Sequence, residues 1–326
     1  MRIPSIVRAA WMFVALWCCL APAPVLAADA YPTHALRIVC PWPPGGIADI
    51  RARQMAERLG KALGQPVIVE NRPGASGTIG AGVVAQAKPD GYTILLGSVN
   101  DQAIAPAIDP ANHGASASLA PVMVATRGPM VLVVSATLPV KTVADLVALA
   151  KSKPGTLGYG TSGANTAHHF AGELFKRTAG VDMFQVPYKG FAQTSVDLMA
   201  GNLPVAFDFP ITSEPLARAG KLKILAVLGP RRVSLLPGVP TSREAGIAGV
   251  EIVSWSGYYV PAGTPPAIIE RLNTEMARIL KTPEIASAIS GTGSEVVAMS
   301  PAESAAFVQE ERTRWAALAR QLKMVP

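Results

Sequence analysis

Between residues 36 and 96 the apolar period switches from two to 3.6 and back, and this alternation constrains the fold more than any other feature. Leu36–Cys40 is a short alternating apolar run that leads, through a proline-rich turn, into a stripe of Ala52, Met55, Ala56, Leu59 and Leu63 on one helix face. Pro66–Val69 reads as a second strand and Thr78–Ala87 as a second helix. Tyr92–Leu96 reads as a third strand after the turn Pro89-Asp90-Gly91. The order βαβαβ predicts a parallel sheet covered by helices.

A second series follows an irregular stretch over 97–118 and an apolar run that ends in Met130–Val134. Thr142-Val143-Ala144-Asp145 is a capping box opening a helix that Pro154-Gly155 stops. Strands are expected at Leu157–Tyr159, Phe184–Val186, Val205–Asp208 and Leu222–Val227, with helices between them. Beyond Pro237-Gly238-Val239-Pro240 an aromatic-rich extended segment, Val253–Val260, precedes helices starting at Pro265 and Pro301, with Thr264 and Ser300 as caps. Trp255, Tyr258 and Tyr259 read as core or hinge strand. The expectation is an α/β protein of two units, residues 28–130 with 250–326 and residues 131–249, with Trp315 packing on the first.

The N-terminus gives the address. Arg2 and Arg8 form a charged region ahead of an apolar core, Ala9–Leu20, that is short for a membrane span, and Val25-Leu26-Ala27 offers a cleavage site. Residues 1–27 therefore read as a secretory signal peptide, and the mature chain is expected in the periplasm. Cys18 and Cys19 leave with the signal, so Cys40 alone remains and no internal disulfide is possible. Half the chain is apolar and 16% is charged, which excludes a disordered protein. The formal charge of +7 is spread thinly, with no basic run and no aromatic interleaving, which argues against nucleic acid as a partner.

Two loops carry chemistry. In Pro41-Trp42-Pro43-Pro44-Gly45-Gly46-Ile47-Ala48-Asp49, prolines fix φ, glycines allow close approach, and the following helix presents unpaired N–H groups suited to a small anion. Gly158–His168 repeats the design after a strand in the second unit. Its Gly158, Gly160 and Gly163 formally match a dinucleotide fingerprint, a weak signal in an exported, glycine-rich chain. Gly-x-Ser-x-Gly elbows, a Walker lysine and His-Glu-x-x-His are missing, and no nucleophile–base pair stands out. Asp49 and Asp208 sit in different units, and helix capping is the plainer role for Asp49. Two donor-rich loops on different α/β units predict a cleft that closes on a solute.

The residues also resemble a known family. Tyr31-Pro32 with Pro41–Gly46 and Asp49, Val69–Gly77, Pro89–Thr93, Val186–Gly190 and Pro261–Pro265 resemble the Bug receptors of tripartite tricarboxylate transporters, from Tyr31 nearly to the C-terminus. The resemblance implies a Venus-flytrap fold of two α/β domains joined by crossing strands. It implies a non-enzymatic binder, monomeric and without cofactor or metal, that captures a small organic carboxylate for a membrane transporter. A binder that presents its ligand to a membrane sensor kinase, and less readily a secreted hydrolase, are the alternatives. Carried over by position, the ligand residues are Trp42, Pro43, Gly45, Gly46 and Asp49, then Ser76 and Gly77, then Ser98 and Asn100. The opposing loop adds Thr161, Ser162, Gly163, Asn165, Thr166 and His168. Backbone amides and water, rather than an arginine clamp, are implied as the carboxylate's partners. Ala48 stands where the family usually has a hydroxyl residue, and Asp101 near the cleft would disfavour a highly charged tricarboxylate.

Overall fold

A computed structural model describes residues 31–109, 113–188 and 190–325; the signal peptide expected over residues 1–27 lies outside them. The first series is β1 (Leu36–Cys40), α1 (Ile47–Leu63), β2 (Val67–Asn71), α2 (Thr78–Ala85) and β3 (Thr93–Ser98). β1 pairs in parallel with β2 on one side and β3 on the other, as the alternation predicts. A π-helical turn over Asn100–Ile104 runs into α3 (Ala105–Ile108), and α4 (His113–Ala117) precedes the long β4 (Leu119–Ser135).

The second series is α5 (Val143–Ser152), β5 (Leu157–Thr161), α6 (Ala167–Ala179), β6 (Met183–Pro187), α7 (Phe191–Ala200), β7 (Val205–Asp208), α8 (Pro210–Arg218) and β8 (Leu222–Leu228). The chain then returns through β9 (Val253–Pro261) and ends in α9 (Pro266–Leu280), α10 (Pro283–Ser290), β10 (Glu295–Val296) and α11 (Pro301–Gln321). Both capping boxes read from sequence as helix starts or caps are present at Thr142 and Ser300. Thr264 is not a cap: Pro265 holds the N-cap position and the Thr264 hydroxyl donates to the Pro261 carbonyl. Helix α10 was not expected, because its short apolar pattern of Ile285 and Ile289 gives periodicity little to register.

Strand β4 joins the two series. Leu119–Pro129 pairs with β9 in the first sheet, and Met130–Ser135 pairs with β8, with Val131–Val134 also against β7, in the second. Its register shifts between Pro121 and Met123 and between Val124 and Thr126, the kind of bulge that bends a strand and tolerates proline. The strand order is β2-β1-β3-β9-β4-β7-β5-β6. Pro129 lies opposite Val253, so the outgoing and returning strands cross side by side.

The core follows the same plan with one departure. Ile38, Leu59, Leu272 and Met276 bury the α1 and α9 face of the first sheet. A larger cluster runs from Val39 and Leu95 through Trp255 and Trp315 to Phe170 and Phe207, and so links both series. Trp315 is expected to pack on the first unit, and α11 does lie against β4, the Asn100–Ile104 turn and α3; the Trp315 ring also stands edge-on to Phe170 of α6 at 5.0 Å between centroids. Arg177 of α6 also donates to the Gln321 carbonyl. Helix α11 therefore straddles the two series, because its apolar stripe is long enough to meet both.

Candidate functional site

Parallel strands β1, β2 and β3 end at one edge of their sheet, and the loops that follow them are knitted together there. The knot is Asp49, which is 4% exposed. Its carboxylate accepts from the Gly45 N–H at 3.0 Å, from Arg53 Nε at 3.0 Å and from Asn71 Nδ2 at 2.9 Å. The Arg53 guanidinium, then the Gly45 amide, hold its pKa down to about 2 despite burial. Asn71 reaches further, donating to the Trp42 carbonyl at 3.0 Å. Asp49 thus fixes the loop as an N-terminal anchor.

The loop it fixes has an open end. Gly45 needs its missing Cβ, with φ at +80°, whereas Gly46 is extended at φ −79° and ψ 169°. Gly46 is the N-cap of α1 and offers no side chain to the first-turn N–H groups. Pro43, Gly45 and Gly46 are exposed and Trp42 is half-buried, so the mouth of this helix faces outward.

Behind it, Gly77 is buried with φ at +96°, and a Cβ there would stand 3.2 Å from the Asp101 carboxylate. Asp101 lies beneath the loop rather than in a cleft, 1% exposed and accepting from both the amide and the hydroxyl of Ser98, at 2.8 and 2.7 Å. Burial raises its pKa to about 6 against these bonds.

The second loop is closed by its own side chains. The Thr161 hydroxyl, 1% exposed, donates to the Gly163 carbonyl and accepts from Gln185 Nε2 at 2.8 Å. Thr166 caps α6 by accepting from the His169 N–H and donates to the Gly163 carbonyl at 2.9 Å. Asn165 turns the chain at φ +58°. Ser162 Oγ lies 2.8 Å from His168 Nδ1, a serine–histidine pair that sequence reading missed because it depends on that turn. Burial pushes the His168 pKa down to about 4, and the ring stands edge-on to Phe209. Among the described residues no carboxylate bonds His168, so the orienting member of a triad is missing from the pair.

These loops meet. Ser76 Oγ donates to the Ala164 carbonyl at 3.2 Å, and the Ala167 N–H at the start of α6 donates to Asn100 Oδ1 at 2.9 Å. The loops after β2 and β3 are therefore joined to the loop after β5, and the loop after β1 is tied to the end of β2 through Asn71, with their residues playing different parts. Asn100, Thr161 and Thr166 hold backbone, while Gly46 and the first turn of α1 remain open. Asp49 and Asp208 are not a catalytic pair, since Asp49 is fully engaged by Arg53, Asn71 and Gly45. Among the described residues no cluster of three or more His, Cys, Asp or Glu side chains is placed to hold a metal, and no helix is long and apolar enough to cross a membrane.

Asp208 gives a separate prediction. It is fully buried; Ser213 Oγ donates to its Oδ2 at 2.6 Å while Oδ1 has no partner among the described residues. Burial raises its pKa to about 7 from 3.8. The native state then keeps a proton that the unfolded chain has released, so stability falls as pH rises from about 4 to about 7. Asp208→Asn should flatten that fall while keeping an acceptor for Ser213. Melting temperatures of both proteins across this range check it, and parallel curves would contradict a protonated Asp208.

Known proteins resemble this chain along most of its length. The family described as tripartite tricarboxylate transporter family receptor matches residues 51–324. Protein BugT of Bordetella pertussis is 33% identical over 302 residues, covering 92% of each chain. The structure of R. palustris Rpa4515 with adipate superposes with a TM-score of 0.84 at 36% identity, covering 91% of this chain and 99% of that one. MatC from Rhodopseudomonas palustris with bound malate gives 0.81 at 30% identity, covering 88% and 99%. In fold this is an α/β periplasmic binding protein of two-domain architecture. With its family match over most of its length and its relatives alike from end to end, the chain belongs to the tripartite tricarboxylate transporter family of receptors.

Proposed function

We propose that this receptor captures a small organic carboxylate in the periplasm, after removal of its signal peptide, and delivers it to a membrane transporter of the tripartite tricarboxylate type without catalysing any reaction. The observation that carries this reading is the uncapped N-terminus of α1 at the point where the loops after β1, β2, β3 and β5 meet. Unpaired N–H groups and the positive end of the helix dipole favour one carboxylate there. Adipate and malate in the related structures are both small carboxylates.

The two units that close on the ligand are residues 28–130 with 250–326, and residues 131–249. They hinge where β4 changes sheets at Pro129 and Met130 and where β9 begins at Val253. Ser76 and Asn100 then act as latches, since each bonds a residue of the opposite unit. Trp42, Pro43, Ser162 and His168 border the seat, the last as a neutral ring.

A thermal-shift panel of mono-, di- and aromatic carboxylates tests the reading. A ligand at 100 times its Kd should stabilise the folded protein by about 2.7 kcal/mol. Absence of any shift across the panel would count against carboxylate capture.

A further inference from the structure

Beneath Gly77, in the turn that follows β3, lies a buried acid that the binding reading does not use. Asp101 is 1% exposed, and each of its bonds comes from a neutral donor. Oδ1 accepts from the amide and the hydroxyl of Ser98 at 2.8 and 2.7 Å, and Oδ2 accepts from Gln102 Nε2 at 2.8 Å. Two further buried polar atoms belong to this cluster and have no partner among the described residues: Gln102 Oε1 and the Tyr259 hydroxyl. A Cβ built on Gly97 would stand 2.9 Å from the Tyr259 ring and 3.0 Å from Asp101 Oδ2, so tyrosine and carboxylate share one side of that glycine. Among the elements packed on the turn, β3, Ala75–Gly77 and α3 carry no ionisable side chain. Helix α11 brings Arg312, whose guanidinium is held by the Gln102 and Ser116 carbonyls at 2.9 and 3.0 Å. It also brings Glu311, which is held by Trp255, Trp315 and Arg314.

A side-chain amide is a donor at one end and an acceptor at the other. With Nε2 toward Oδ2, Gln102 serves the ionised carboxylate but leaves its own Oε1 buried and unpaired, which is costly. Turned over, it would offer Oε1 to a proton on Oδ2 and pair both atoms. The pair thus has two arrangements, one for each charge state of Asp101. Burial, opposed by the Gln102 and Ser98 bonds, holds the Asp101 pKa up at about 6, so both states are within reach near neutral pH.

The turn also lies where the two units touch. Asn100, its first residue, accepts from the Ala167 N–H of α6 at 2.9 Å. Gly77, whose Cβ would stand 3.2 Å from Asp101 Oδ1, follows Ser76, which donates to the Ala164 carbonyl at 3.2 Å. Strands β1 and β3 are parallel neighbours, so the loop at the mouth of α1 and the Asp101 turn leave the sheet side by side. We propose that Asp101 and Gln102 form a proton switch beneath the ligand loops, and that carboxylate capture takes up a proton at Asp101 as the Gln102 amide reverses. The coupling rests on the carboxylate reading above. A ligand anion arriving over a buried carboxylate disfavours its ionised form. The bound receptor then holds the proton more tightly than the free one, so affinity rises as pH falls through the Asp101 titration.

Adipate, fully ionised above about pH 6.5, is the probe. Calorimetry in buffers of different ionisation enthalpy should show uptake of about half a proton per adipate at about pH 6.5, with affinity about threefold higher there than at about pH 8. Asp101→Asn keeps an acceptor for Ser98 and offers an N–H to the reversed Gln102 amide, so adipate should still bind while both effects disappear. Asp208 is common to the two proteins, and the difference between them reads Asp101 alone. Without any ligand, the Asp101 carboxyl carbon resonance should titrate near pH 6, with the Gln102 side-chain amide resonances following the same curve. Ser98→Ala should move that curve to higher pH, because the ionised acid loses a donor, and it serves if Asp101→Asn does not fold. Adipate binding without proton uptake, the same uptake in Asp101→Asn, or Gln102 resonances that ignore the Asp101 titration would each overturn the switch. Failure of adipate to bind at any pH would count against the carboxylate reading instead, and the ligand-free titration would then decide the switch.

Discussion

Replacing Gly46 by valine is expected to abolish carboxylate binding, by more than 100-fold or about 3 kcal/mol, while the protein stays folded. The substitution is clean for a reason that only the coordinates give. Gly46 is extended, a conformation open to any residue, and a Cβ built on it meets just the Pro43 carbonyl at 3.6 Å, an ordinary contact. Its neighbour Gly45 at φ +80° would be strained by any side chain and makes a poorer probe. Valine is a weaker N-cap than glycine, so a small loss of stability, about 1 kcal/mol, is expected alongside. The isopropyl group would occupy the approach to the first-turn N–H groups of α1. Calorimetry with a carboxylate identified by thermal shift measures the effect. Wild-type affinity in Gly46→Val would mean that the carboxylate is seated elsewhere.

The largest loss of stability is expected from Trp315→Ala, about 3–5 kcal/mol. Trp315 is fully buried, meets Phe170 edge-on and donates from its indole to Glu311 Oε2 at 3.1 Å. Arg314 lies over its ring at 4.8 Å. Alanine removes the apolar wedge between α11 and α6 and leaves a cavity. Glu311 keeps the Trp255 indole at 2.7 Å and Arg314, so an unpaired buried charge does not result. Trp315→Phe, which preserves the ring against Phe170, should lose less than half as much. Denaturant unfolding of both variants decides, and a loss below about 1 kcal/mol in Trp315→Ala would show that this seam contributes little.

Much of this arrangement can be read from residue pattern. The short apolar runs of β1, β3, β5 and β8 announce themselves because these strands are buried along most of their length, and the stripes of α1 and α11 because each helix buries one face. The loops were legible for a different reason: Pro43, Pro44, Gly45 and Gly46 restrict or free the backbone wherever they occur. What those loops do with their side chains was not legible. Thr161 and Asn100 look like ligand donors in sequence, yet one is turned into Gly163 and Gln185 and the other into the start of α6. Hydrogen bonds between residues dozens of positions apart leave no periodic trace. Arg51 was invisible for the same reason, since an arginine on an amphipathic helix reads as solvent-facing until Thr126, Thr292 and Ser294 are found around it. The apolar stripe of α11 says that the helix is buried, but not that Phe170 of α6 joins the first-unit elements in burying it.

The crossing of β4 and β9 bears on how the polypeptide matures during export. β3 lies beside β9, so the first sheet has no complete centre until residues beyond 252 have arrived. Translocation delivers the N-terminal end first, and the β1–β3 strands must therefore wait, with an open apolar edge, while the whole intervening segment emerges. That segment, from Met130 to Ile252, is contiguous and pairs largely with itself, so it can assemble before the sheet that precedes it. The first sheet, whose strands emerge first, is thus the one that can be completed only last. The waiting strands are where a holding chaperone on the far side of the membrane has most to protect.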